Sequence, residues 1–115
     1  MQRHVLLLDL RDDAALIAEY RRWHAPGGPP AVVIEAIRAS GVEAMEIHLS
    51  GDRLVMVIEA RDDFDFAAKG AADAADPQIQ AWETLMSRFQ KPVPWAGEGE
   101  KWVRAERIFS LAEQG

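Results

Sequence analysis

Tyr20 and His24 stand four residues apart, a spacing that brings two side chains to one face of a helix. Histidine accepts or releases a proton near neutral pH, and a phenol donates a hydrogen bond or, when perturbed, a proton. Two such tips converging on a ligand would make a metal-free proton relay. The same spacing also describes a Tyr20 ring packed in the core and a His24 capping the helix end, where a cation complements the dipole. Spacing alone does not separate these readings.

Trp82 lies in the stripe Ile79, Trp82, Leu85, Met86 and Phe89. An indole face stacks on the C–H face of a sugar and leaves the hydroxyls free to hydrogen-bond, while the same stripe also describes plain core packing. Trp23, Trp95 and Trp102 share that ambiguity, and Trp95 sits in a Pro/Gly loop where it is either a lid over a site or a plug over a sheet edge. Glu46 and His48 alternate out of phase with Met45, Ile47 and Leu49, so they occupy the opposite strand face. There His48 is either a polar contact to a ligand, at a cavity between two copies, or a solvated side chain. His4, His24 and His48 lie in separate segments without ligand spacing, so no metal site is expected. Dinucleotide, P-loop, serine-hydrolase and zincin motifs are all absent.

The elements that must position these groups belong to a chain of 115 residues, 49% hydrophobic and 28% charged, the profile of one compact domain over residues 1–115. Thirteen Lys+Arg against nineteen Asp+Glu leave a net charge of −6, the wrong sign for nucleic acid or an anionic membrane surface. With no cysteine there is no disulfide framework or thiolate chemistry, which matches a reducing cytoplasm. The run Leu6-Leu7-Leu8 is cut by Asp9, short of a signal sequence or a membrane span of roughly 20 residues.

Val5 to Leu10 reads as an internal strand, followed by a helix that Asp12 or Asp13 caps and that stops at Ala25-Pro26-Gly27-Gly28. Pro29-Pro30 opens a second helix closed by Gly41. Val42–Leu49 and Leu54–Ala60 flank a turn and predict a hairpin. Asp62-Asp63 opens an alanine-rich helix, and Asp76-Pro77 opens another. Residues 92–99 form a loop, and the alternation from Val103 to Leu111 predicts a last strand, broken in phase at Arg107. The order β-α-α-β-β-α-α-β predicts an α+β, ferredoxin-like antiparallel sheet with helices on one face. The uncovered face needs burial, and two copies pairing open face to open face supply it as a homodimeric α/β barrel.

Together, Tyr20-Arg-Arg-Trp-His24-Ala-Pro26, Gly41-Val-Glu-Ala-Met-Glu-Ile47-His-Leu49, Trp82-Glu-Thr-Leu-Met86 and Arg107-Ile-Phe109-Ser-Leu111 resemble the L-rhamnose mutarotase family, including relatives that act on L-fucose. The resemblance implies a dimeric α+β barrel that interconverts the anomers of a deoxyhexose without a cofactor. It makes Tyr20 and His24 the acid/base pair and Trp82 the pocket aromatic; Trp23 and His48 join them here as candidate sugar contacts. Two stretches depart from the rhamnose pattern, Gly27-Gly28-Pro29-Pro30 after Pro26 and Trp82-Glu83 in place of a double tryptophan; they leave the sugar open, and the resemblance leans towards L-fucose over L-rhamnose. Two rival functions suit the fold. One is a cofactor-free monooxygenase-like or heme-binding dimer that takes a planar aromatic ligand, and the other is a regulatory dimer that binds a small molecule without turning it over.

Overall fold

The computed structural model describes residues 1–115. Its chain runs β1 (Gln2–Leu10), α1 (Ala14–His24), α2 (Ala31–Ala39), β2 (Val42–Ser50), β3 (Arg53–Ala60), α3 (Phe66–Ala74), α4 (Pro77–Ser87), β4 (Gln90–Lys91), β5 (Val103–Arg104) and a final 3₁₀ turn (Leu111–Glu113). Three of the four helix starts follow from short polar side chains that satisfy free amides, and α2 instead starts behind Pro30. Asp13 accepts from Leu16 N at 2.9 Å, Asp65 from Ala67 N at 3.1 Å and Asp76 from Gln78 N at 2.9 Å. The third helix therefore begins at Phe66 behind Asp65, not at Asp62-Asp63. Asp62 instead pairs with the N-terminal ammonium. Gln2 ties the adjoining loop to β1 by donating to Asp62 O and Phe64 O.

All strand pairs are antiparallel, in the order β2-β3-β1, with β4 and β5 both on the far edge of β1. This is the ferredoxin-like arrangement expected, with two corrections at that edge. Gln90–Lys91 forms a two-residue strand opposite Asp9 and Leu10, where a helix end had been expected to run straight into loop. The last strand stops at Arg104. Ala105 N still donates to Val5 O at 2.8 Å, and beyond it the chain leaves the sheet with Ile108 91% exposed. The radius of gyration, 14.9 Å, exceeds the roughly 13 Å of a compact chain this long.

Alternation along the strands divides the apolar residues between two faces. Leu6, Leu8, Leu10, Leu54, Ile58 and Ala60 are buried beneath the helices. They contribute to two clusters, one around Leu6, Val42, Ile58 and Phe64 and the other around Leu10, Tyr20, Leu54, Met86 and Phe89. On the other face Val5 pairs with Val57 and Leu7 with Val55, none of them covered by a helix. At one end of that face the buried Asp9 carboxylate accepts from Arg53 at 2.7 and 3.1 Å. Trp95, itself 54% exposed, packs on the same guanidinium, 4.8 Å from its ring centroid, so its loop lies beside that end of the sheet.

Candidate active site

A cavity of about 590 Å³ lies between the helices and the sheet, with walls drawn from both core clusters. Its size and largely apolar lining suit a small ligand. A hollow of similar volume at the outer end of β2 is walled by water-exposed charges such as Arg3, Glu43 and Glu46 and has no aromatic wall. The helix-side cavity is therefore the candidate site.

The last turn of α1 supplies two of its walls. Tyr20 and His24 stack, with ring centroids 4.2 Å apart at 30°. His24 Nδ1 lies 2.7 Å from the main-chain oxygen of Tyr20. A carbonyl only accepts, so Nδ1 carries the proton and donates, and Nε2 is left as the acceptor of the ring. Burial pushes the His24 pKa below 6.5, against the opposing pull of that hydrogen bond, which keeps the ring neutral at pH 7. Burial pushes the Tyr20 phenol above 10, opposed by its hydrogen bond with Gln90, so the phenol keeps its proton. An uncharged base and a protonated phenol thus stand side by side.

The turn that carries them is held by a close backbone approach. Gly28 N donates to Ala25 O at 2.8 Å, and a Cβ at Gly28 would fall 2.4 Å from Trp23 O and 2.7 Å from Arg22 O. Only glycine lets the following loop fold this tightly over the end of α1.

Trp82, from α4, lines the cavity with its ring centroid 5.7 Å from that of His24. Trp23 meets Trp82 edge to face at 5.9 Å and donates from Nε1 to Glu19 at 3.4 Å. It packs against Trp82 and is not among the residues that line the cavity. His48 lies on the strand face opposite the cavity residue Ile47 and is 3.5 Å from Glu46. It borders a separate edge hollow of about 420 Å³ that shares Tyr20 and His24 as walls. Tyr20, His24 and Trp82 are therefore brought together in the cavity, Trp23 packs against Trp82 outside its lining, and His48 meets Tyr20 and His24 only across the edge hollow. No three His, Cys, Asp or Glu side chains gather at metal-ligand spacing.

The site also holds a residue that pattern reading missed. Gln90, on β4, donates from Nε2 to the Tyr20 phenol oxygen at 3.4 Å, and its Oε1 is buried without a partner. The phenol accepts from the amide and keeps its own O–H for a ligand. Trp102 lines the cavity as well and packs against both core clusters. Lys69 and Asp73, paired at 2.7 Å, stand among the charged residues of the lining.

Comparison with known proteins places this geometry in context. Residues 3–111 match the family model described as L-rhamnose mutarotase. An L-fucose mutarotase of Xanthomonas campestris pv. campestris is 54% identical over 113 residues, covering 98% of this chain and 90% of the relative. Among solved structures, an L-rhamnose mutarotase from Formosa agariphila superposes with a TM-score of 0.70 at 13% identity, covering 96% of this chain and 99% of that one. A type-II polyketide cyclase from Streptomyces glaucescens does so with a TM-score of 0.64 at 20% identity, covering 96% of each chain. At those identities the two structures speak for the fold alone.

Proposed function

The chain belongs to the L-rhamnose mutarotase family, and from that premise we propose that it is an isomerase interconverting the α and β anomers of a deoxyhexose, with L-fucose preferred over L-rhamnose. One observation carries the reading: a neutral His24 with its free nitrogen fixed by a backbone bond, stacked on a protonated Tyr20 at the wall of a cavity that Trp82 also lines. The 54% identity to an L-fucose mutarotase supports the choice of sugar.

The reaction moves two protons and no electrons. His24 Nε2 takes the proton of the anomeric hydroxyl while the Tyr20 phenol gives its own to the ring oxygen. The C1–O bond to the ring opens as C1 becomes a carbonyl. Rotation about C1–C2 presents the other carbonyl face, and the hydroxyl formed on opening attacks it. Tyr20 recovers its proton from that hydroxyl and His24 returns its proton to the former carbonyl oxygen, so both groups end as they began. A raised phenol pKa opposes full ionisation of Tyr20, and the amide of Gln90, already aimed at the phenol oxygen, stabilises negative charge as it develops there. Trp82 provides the face on which the sugar's C–H groups rest.

The reading includes a homodimer acting in the cytoplasm, with residues 1–115 as its single domain. Support for the dimer comes from the uncovered face of β1 and β3 and from the C-terminal arm, on which Ile108, Phe109 and Leu111 are 91%, 65% and 77% exposed. A second copy is the partner that covers both by symmetry.

Proton NMR exchange between the anomeric signals of L-fucose and of L-rhamnose, with and without protein, tests the reading. Exchange should quicken for both sugars, more for L-fucose. Exchange no faster than in buffer for either sugar overturns the activity, and a preference for L-rhamnose overturns the choice of sugar.

A further inference from the structure

Gln90 is fixed at both ends of its environment yet only half used. Its backbone sits in the ladder opposite Leu10, and the residue is 9% exposed. Its amide nitrogen donates to the Tyr20 phenol at 3.4 Å, while Oε1 has no hydrogen-bond partner. A buried amide oxygen without a donor costs free energy comparable to a lost hydrogen bond. An apolar residue of similar volume would avoid that cost, and the side chain lies on the wall of the cavity beside the phenol.

We propose that Gln90 determines sugar specificity: Oε1 accepts a hydrogen bond from a secondary ring hydroxyl of the bound sugar while Nε2 holds the phenol of Tyr20. The inference rests on the mutarotase reading for its ligand class and deepens it by naming the group that reads the hydroxyl. L-Fucose and L-rhamnose differ in configuration at C2 and C4, so an acceptor fixed opposite either position distinguishes them. One amide would then couple recognition of a hydroxyl to the placement of the phenol.

The test measures the Kd of L-fucose and of its 2-, 3- and 4-deoxy analogues by tryptophan fluorescence, using Trp82 and Trp102 on the cavity wall as reporters. The wild type should bind either the 2-deoxy or the 4-deoxy analogue about tenfold more weakly than L-fucose, the loss of a single hydrogen bond left unmade in a buried site, with the 3-deoxy analogue as the control. Gln90→Met fills nearly the same volume without an acceptor and should bind that analogue and L-fucose within about twofold of each other, the non-additive signature of a direct contact. If Gln90→Met does not fold, Gln90→Asn, which withdraws the amide by one methylene, should lose the discrimination in the same way. A wild type indifferent to loss of the 2- and the 4-hydroxyl, or a variant that keeps the wild-type discrimination, overturns the proposal. Anomer exchange on the same samples separates the two readings. Binding with discrimination but no acceleration defeats the mutarotase activity and leaves Gln90 as a sugar contact, whereas acceleration without discrimination defeats the role of Gln90 alone.

Discussion

On the helix side of the sheet, His24 Nε2 and Gln90 Oε1 lack protein partners while the apolar side chains around them are packed. On the other side the order is reversed: Asp9 has both carboxylate oxygens on Arg53, and it is Val5, Leu7, Val55 and Val57 that no helix covers. The same strands build both faces, since neighbouring residues point in opposite directions. Unmet hydrogen bonds in an apolar cavity suit a small polyhydroxylated molecule, and unmet apolar surface beside paired charges suits another protein surface. By alternation alone, one sheet thus carries both the face we assign to turnover and the face we assign to assembly.

The strongest way to break that division is to remove the base. His24→Ala should lower kcat for anomer exchange by about 10²–10⁴-fold, the usual contribution of positioned acid–base catalysis, with sugar Kd nearly unchanged because Trp82 and Gln90 remain. Line-shape NMR and fluorescence titration read the two quantities separately, and a parallel collapse of binding would make His24 a contact instead of a base. Next in size is assembly. Ile108→Asp combined with Phe109→Ser should shift the species seen by sedimentation from twice the 12.8 kDa chain mass towards one. A wild type that already sediments as a monomer would leave the arm without the partner assigned to it. A smaller effect is expected from Asp9→Asn, which weakens the bonds that Arg53 makes to a buried carboxylate. Calorimetry should show the Tm lower by several degrees with kcat unchanged; a comparable fall in kcat would mean that the two faces are coupled.

How much of this was legible in the sequence depends on how far each feature is local. The Tyr20/His24 pair and the Trp82 stripe follow from helical spacing, and the hairpin and four helices follow from turn and capping residues, although Asp65 and not Asp62-Asp63 starts α3. The alternation read from Val103 to Leu111 did not become a strand of that length, because alternation specifies a face and not a partner, and the ladder ends at Arg104. Gln90 was illegible because β4 has two residues, too few for any periodicity, and its partner Tyr20 is 70 positions away. The tautomer of His24 was hidden for a different reason. Four-residue spacing fixes which face a side chain shares, whereas the proton on Nδ1 depends on the rotamer that meets a carbonyl.

The most delicate test uses one proton to read both folding and turnover. Burial holds the His24 pKa below 6.5 in the folded protein, so the unfolded chain takes up a proton near 6.5 that the fold resists. The contribution of His24 to stability is therefore complete above pH 6.5, falls as the pH drops through that value and levels off below the folded-state pKa. With the same neutral imidazole as the proposed base, kcat/KM should fall on the acid side at that folded-state pKa and stay level on the alkaline side until Tyr20 ionises above 10. His4, whose pKa is lowered by burial and by Arg104, adds a second contribution of the same sign to stability but lies outside the cavity wall. His24→Gln should thus flatten part of the decline in Tm between about pH 7 and 5 while His4→Gln flattens another part, and only His4→Gln should retain the acid limb of the rate. An acid limb centred above pH 6.5 would contradict a buried, neutral His24 and shift the base to another group.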